Sequence, residues 1–205
     1  MTKIVKSKMK SMRRWDNQIY TNIDYSNKKF PPGQHGKNGY RFTNGYCSDL
    51  RIKQSVKKSY LASEKLIKNA CRSFKENKKV NFADAFTAFF ELMALKVVYN
   101  CGFAPSVFCA RQLLSHCHFT LNGKKINIAR MRLKVGDVLS VKVSSRSHKM
   151  IADSVEKAKQ GSESNLPPYL KVNYDDMSIK VMRLPTSDEI LLGFEPRFTV
   201  LASFY

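Results

Sequence analysis

Acidic side chains are scarce in this chain. Its 205 residues hold 16 Asp and Glu against 36 Lys and Arg, a formal net charge of +20 at pH 7. Self-repulsion of that size disfavours a freely soluble enzyme and points to a polyanion, either nucleic acid or an anionic membrane surface. A long apolar run is also missing, with nothing near the roughly 20 residues that span a bilayer, so no membrane partner is expected. Residues 1–15 are basic and acid-free but lack the apolar centre of a secretory signal; they fit an organelle-targeting segment or a basic tail lying on RNA. The five cysteines (Cys47, Cys71, Cys101, Cys109 and Cys117) contain no Cys-x-x-Cys pair, which argues against a four-ligand zinc site. Their odd number, without a secretory signal, favours reduced thiols. His116, Cys117 and His118 are consecutive, and neighbours at a strand start face opposite ways, so they do not easily chelate one ion. No metal or cofactor is expected. Neither a glycine-rich nucleotide loop nor a catalytic constellation is present, and Asp175 and Asp176 fall in a predicted turn. The chain is expected not to be an enzyme.

What is present is unevenly placed. Residues 1–136 hold 27 basic and 7 acidic side chains, whereas residues 137–205 hold 9 of each, so the whole excess lies in the first two-thirds. Three acid-free blocks, residues 1–15, 25–48 and 92–136, interleave Lys and Arg with aromatic, Gly, Asn, Gln and His residues. Cations meet phosphates while rings and amides meet bases, so that mixture suits RNA. The apolar share of 43% supplies one or two ordinary cores.

Residues 27–45 carry Pro31, Pro32, Gly33, Gly36, Gly39 and Gly45, which predicts a loop. Asp49 is placed to cap a helix to about Lys75, whose stripe is Ile52, Val56, Tyr60, Ile67 and Phe74; Lys53, Lys57 and Lys58 lie among its cations. A second helix is predicted from Asn81 to Cys101–Gly102, with Phe82, Phe86, Phe89, Phe90, Met93 and Val97 as core. A third fits residues 105–116, with Val107, Ala110 and Leu114 on one face and Phe108, Arg111, Gln112 and Ser115 on the other. Strands follow at residues 118–121 and 124–128 around the hairpin turn Asn122-Gly123, with Phe119 and Leu121 paired to Ile126 and Ile128 on the buried face. Further strands are read at residues 138–143, with Leu139, Val141 and Val143 on one face, and at 170–174 and 178–184. A helix is predicted over 151–160, a linker over 161–168, and an apolar end at 198–205 that docks on a core. The fold class is α+β.

In this order, several short motifs resemble the bacterial and organellar small ribosomal subunit protein S-four family from about Phe30 to the C-terminus. They are Pro32-Gly33-Gln34-His35-Gly36, Val97-Val98-Tyr99 with Gly102-Phe103, residues 110–116 (Ala-Arg-Gln-Leu-Leu-Ser-His), residues 121–128 (Leu-Asn-Gly-Lys-Lys-Ile-Asn-Ile), Gly136-Asp137-Val138, Pro168-Tyr169-Leu170 and Arg183-Leu184-Pro185. The resemblance implies an extended basic segment at residues 1–48 and a helical domain at 49–90 completed by 165–205. A small S-four-type RNA-binding domain is inserted at 91–164. It implies binding to the 5′ domain of small-subunit ribosomal RNA early in assembly, near where messenger RNA enters, with protein S-five as neighbour and no homo-oligomer. The expected RNA contacts are Arg13, Arg14, Gln34 and His35, which would insert between RNA helices; Lys53, Lys57 and Lys58; Arg111, Gln112, Ser115 and His116; Asn122, Gly123, Lys124 and Lys125; and Arg130, Arg132, Arg146 and Lys149. Two departures weaken one edge of that surface: Met93-Ala94-Leu95 replaces the usual Arg-Leu-Asp, and Val107 replaces an Arg. The N-terminal zinc cysteines of some members are absent. The alternatives are an RNA-modifying enzyme, or a transient ribosome-associated factor, sharing the same small domain. The Lys, Asn, Ile, Phe and Tyr bias favours a mitochondrial ribosome over a plastid one or the bacterial cytoplasm.

Overall fold

The computed structural model describes residues 8–16, 18–20, 30–39, 45–76, 81–160, 166–194 and 196–205. Residues 27–29 and 40–44 of the predicted loop, and 161–165 of the predicted linker, lie outside the described residues. The chain divides into two units, Met1–Phe86 with Leu192–Tyr205, and Thr87–Leu191.

In the first unit, α1 (Lys8–Trp15), α2 (Gly45–Ser59), α3 (Glu64–Glu76) and the first half of α4 (Phe82–Glu91) are joined by α8 (Phe198–Ser203). The single helix predicted over residues 49–75 is therefore two, and it begins at Gly45 rather than at a cap on Asp49. The break has a local cause. Leu61 adopts φ +47°, and the Ala62 and Leu61 amides donate back to the Lys57 and Lys58 carbonyls. Such a paired left-handed stop usually carries glycine, so a leucine there disguised it. Ser63 then restarts the chain, its hydroxyl accepting the Leu66 amide. Val56, Tyr60 and Ile67 are buried as expected, and Phe198 and Leu201 of α8 join them. The Phe86 and Phe198 rings lie 5.1 Å apart, so the apolar end is docked.

The second unit holds the rest of α4, then α5 (Ala94–Asn100), α6 (Val107–Ser115) and α7 (Lys149–Gln160) with five strands: β1 (Phe119–Leu121), β2 (Lys124–Lys125), β3 (Val138–Val141), β4 (Leu170–Asn173) and β5 (Ser178–Val181). The sheet is antiparallel, in the order β2-β1-β3-β5-β4. Asn81 caps α4 as predicted, its Oδ1 accepting the Ala83 amide. The helix does not run to Cys101, however. Residues 129–133 dock beside Leu92–Leu95: Ala94 and Leu95 donate to the Met131 and Ala129 carbonyls, and Leu133 donates to Leu92. Met93 is extended as a result. Gly102 ends α5 at φ +77°, with Gly102 and Phe103 donating to Tyr99 and Val98.

Two strand expectations and one boundary need correction. Ile128 is exposed rather than core, because the chain leaves the sheet after Lys125 to reach the α4–α5 break. Val143 is 78% exposed, because a tight turn over Val143–Ser145 ends the alternation that buries Leu139 and Val141. The return to the helical unit comes after Leu191, not after residue 164, since β4 and β5 pair into this sheet. A hairpin's periodicity reads the same whichever core it joins, so the sequence could not place that boundary.

Candidate nucleic-acid interface

The α6 helix owes its direction to Ser106, whose hydroxyl accepts the Cys109 amide. Val107, Ala110, Leu113 and Leu114 are buried, which turns Gln112, Ser115 and His116 to solvent with Arg111 half-exposed. Ser115 donates to the Arg111 carbonyl at 2.8 Å, so its hydroxyl proton is engaged within the helix. Arg130 lies against this edge. Desolvation, followed by the charge of Arg111, holds its guanidinium below its ordinary value. Two guanidiniums close enough to repel are relieved by an anion between them.

Beside this edge stands the hairpin. Asn122 and Gly123 take φ +48° and +81°, the double left-handed turn that suits the twist of paired strands. Lys124 and Lys125 pair with Leu121 and Thr120. Both are exposed, and neither is in an ion pair among the described residues. The turn is tied down by Asp137: its carboxylate accepts from Asn122 Nδ2 at 2.9 Å and from the Lys134 amide at 2.8 Å. Asn122 Oδ1 in turn accepts the Val138 amide at 2.9 Å. The lysines are thus presented on a fixed stalk. Arg132 sits with its guanidinium 4.6 Å from the Phe89 ring, a cation–π contact that orients it. Arg146 donates to the Asp176 carbonyl at 3.1 Å, and Lys149 is exposed at the start of α7.

The predicted residues of the first unit divide differently. Gln34 and His35 are exposed on a turn that donates the Gly36 amide to Gly33. A side chain at Gly36 is excluded because its Cβ would lie 1.9 Å from the Pro31 oxygen. Arg13 supports this turn, donating to the Phe30 carbonyl at 3.0 Å and to Pro31 at 3.5 Å, with its guanidinium 5.1 Å from the Phe30 ring. Arg14 lies 5.3 Å from the Trp15 ring. The three α2 lysines are turned inward. Lys53 and Lys57 both meet Glu64, at 2.7 and 2.8 Å, and Lys53 also lies over the Phe204 and Tyr205 rings at 4.6 and 4.4 Å. Lys58 donates to Ser11 Oγ at 3.0 Å, and burial, then Arg14 and Lys57, lower its ammonium value. Helical periodicity gave these lysines the solvent face. The C-terminal aromatics and α1 cover that face, and nothing local in α2 reveals it.

Two groups near the second unit's edge were missed as contributors. Asp137 stood in the sequence only as part of a turn, although an Asp fifteen residues from an Asn-Gly turn carries no local signal of their pairing. His118 drew notice in the sequence only as a poor metal ligand, and the fold gathers it with His148 and Lys142 beside His116. Among the described residues, no group of His, Cys, Asp and Glu side chains is arranged to hold a metal ion.

Comparison with known proteins is consistent across the chain. The S4 domain family matches residues 95–139, the span from α5 into β3. Over 208 aligned residues, covering 100% of this chain and 99% of the relative, the sequence is 36% identical to a protein of Rickettsia bellii named "Small ribosomal subunit protein uS4". A protein of the same name from Rickettsia massiliae is also 36% identical, and one from Rickettsia felis 35%, over the same shares of both chains.

Proposed function

The chain belongs to the uS4 family of small ribosomal subunit proteins, and on that premise we propose that it is a structural constituent of the small ribosomal subunit that binds small-subunit ribosomal RNA. The observation that carries the reading is identity running through both units rather than through the small domain alone. An RNA-modifying enzyme that merely shared the small domain would match only there. The role is that of a scaffold, not a catalyst.

Binding proceeds by several clamps. Exposed Lys and Arg release condensed counterions from RNA, which makes affinity large and steeply salt-dependent. In the small unit the contacts are Arg111, Gln112, Ser115 and His116 on α6, Asn122, Gly123, Lys124 and Lys125 on the hairpin, and Arg130, Arg132, Arg146 and Lys149 around them. In the helical unit they are Gln34, His35 and Arg14, with Arg13 holding the turn. Lys53, Lys57 and Lys58 add to the field rather than touching RNA. A-form grooves hide base edges, so shape dominates the recognition. The finer assignments follow the family resemblance: the 5′ domain of the RNA as target, early assembly, protein S-five as neighbour and messenger RNA passing nearby. The compositional bias supports a mitochondrial ribosome, whereas the relatives named above are bacterial.

Sedimentation at high salt tests the proposal. A structural constituent stays with the small subunit and crosslinks to its RNA through peptides of α6 and the hairpin. Release into the soluble fraction at salt that spares the other subunit proteins would mark a transient factor instead. Fractionation of organelles from cytosol tests the compartment.

A further inference from the structure

Three of the chain's four histidines gather in the small unit, at the edge where α6 meets the sheet. His116 closes α6. Cys117 then takes φ +59° and returns its amide to Leu114, while His118 donates to Leu113. His116 and His118 therefore come to the same side, with ring centroids 6.2 Å apart. The turn after β3 brings in His148, whose ring lies 4.9 Å from that of His118. His118 Nδ1 sits 3.0 Å from Ser145 Oγ. His148 Nδ1 is buried and has no hydrogen-bond partner among the described residues.

The charged groups facing His118 are all bases. They are His116 from α6, Lys142 from the end of β3, which also donates its amide to the His118 carbonyl, and His148 from the turn before α7. Arg146, in that same turn, points to the Asp176 carbonyl, and Lys149 follows at the start of α7. Desolvation comes first, followed by His148, His116 and Lys142, in holding the His118 imidazole below its ordinary value. No carboxylate is among the groups that shift it. A crowd of imidazoles next to an ammonium cannot fill with protons unless an anion compensates them.

We propose that His116, His118, His148 and Lys142 form a proton-linked phosphate subsite, which grips an RNA phosphodiester more tightly as pH falls. The inference rests on the RNA-binding reading above and extends it from His116 to two histidines outside the expected contact set. A phosphodiester keeps its single charge throughout the histidine range, so the protein alone titrates. Phosphate bound against the cluster raises the depressed imidazole back toward or beyond its ordinary value of about 6.5. Binding therefore takes up protons, and affinity rises as pH falls through the window between the free and bound values.

The test uses the full chain and a small-subunit ribosomal RNA fragment containing the 5′ domain, at fixed ionic strength, between about pH 8 and about pH 5. Uptake of one proton gives about a tenfold gain per pH unit at the steepest point. The readout is the ratio of affinities at the two ends. The wild type is expected to gain about tenfold, and His118→Gln/His148→Gln less than about twofold. Wild-type binding that ignores pH, or a double variant that keeps the full gain, overturns the subsite and leaves the RNA-binding reading standing. Absence of RNA binding at every pH overturns both. Because the variant could fold poorly, the histidine ring signals of the wild type are also followed by NMR. The His118 midpoint should move upward on adding RNA, and an unmoved midpoint refutes the subsite. Inorganic phosphate as a competitor separates the sources. If it also raises the midpoint, the subsite recognises phosphate in general; if only RNA does, the rest of the strand positions the group. Either supports phosphate recognition.

Discussion

Removing the Asp137 carboxylate sets two effects of opposite sign against each other. Asp137→Ala deletes the acceptor of two hydrogen bonds, from Asn122 Nδ2 and the Lys134 amide, which hold the Asn-Gly turn in its left-handed geometry. Hydrogen bonds to a charged acceptor contribute about 1.5–3 kcal/mol each when shielded. Asp137 is only half-buried and water competes, so the pair is worth about 1–3 kcal/mol together. The opposing effect is electrostatic, since a lost negative charge favours RNA. Across about 10 Å of water one unit charge acts with about 0.4 kcal/mol, and salt screens that further. Loss of the tether wins. The Val138 amide, which donates to Asn122 Oδ1, should exchange with deuterium about 5- to 150-fold faster, matching that range of energies. RNA affinity should fall rather than rise about twofold, while the slope of affinity against salt stays constant because no cation has been removed. Tighter RNA binding with unchanged Val138 protection would refute the reasoning.

Three further outcomes are expected. Burial pushes the Glu64 carboxyl up, but hydrogen bonds from Lys53, Lys57 and Tyr205 outweigh it and hold the group at about 2. Its stabilisation is therefore present above the unfolded value of about 4.3 and is lost as pH falls toward 2. With the side chain 44% exposed, screening leaves less than about 1 kcal/mol, so Glu64→Gln should show a shallower fall in Tm across that window, and parallel curves would contradict it. Gly102→Ala and Gly123→Ala both force a side chain into left-handed backbone, at φ +77° and +81°, for about 1–2 kcal/mol. Only at Gly102 does the new Cβ meet another, 2.6 Å from that of Ala158, so urea denaturation should show a further loss of about 1–3 kcal/mol there; equal losses would sink the packing argument. Glu91 is buried and accepts from Asn100 Nδ2 at 2.9 Å and the Tyr169 hydroxyl at 3.1 Å, and it raises the value of a buried Lys96 that desolvation lowers. Glu91→Leu should cost about 3–5 kcal/mol in urea denaturation, with part recovered by adding Lys96→Met; no recovery would mean that the lysine is not the cause.

Elements that announce themselves locally were legible in the sequence. The Asn-Gly hairpin, the Asn81 cap, the Gly102 stop and the α6 faces depend on residues within one turn of each other, and each forms as expected. Breaks that carry no recognisable local signal were not. The stop at Leu61 uses a residue type that rarely takes that conformation. The break at Met93 exists because a segment some forty residues later supplies its hydrogen bonds. The same division runs through the candidate site. Exposure of Arg111, Gln112 and His116 follows from helical period alone, whereas burial of Lys53 depends on aromatics at the far end of the chain.

That last contrast limits what net charge can say about binding. An excess of +20 points to a polyanion, yet it does not identify the cations that touch it. Lys53 and Lys57 share one carboxylate, and moving either to RNA would first break a contact at 2.7 or 2.8 Å. Arg13 directs two of its donors to the carbonyls of Phe30 and Pro31, so part of its effect on RNA runs through the position of Gln34 and His35. Lys124 and Lys125 stand exposed on a turn that Asp137 fixes, and they need no rearrangement to meet a phosphate. Preorganised cations give more affinity per charge than cations that must be freed. Salt slopes of single charge-removing variants should therefore separate the two kinds. The slope drops by about one for Lys124→Gln and by much less for Lys53→Gln; equal drops would mean that RNA pulls Lys53 away from Glu64.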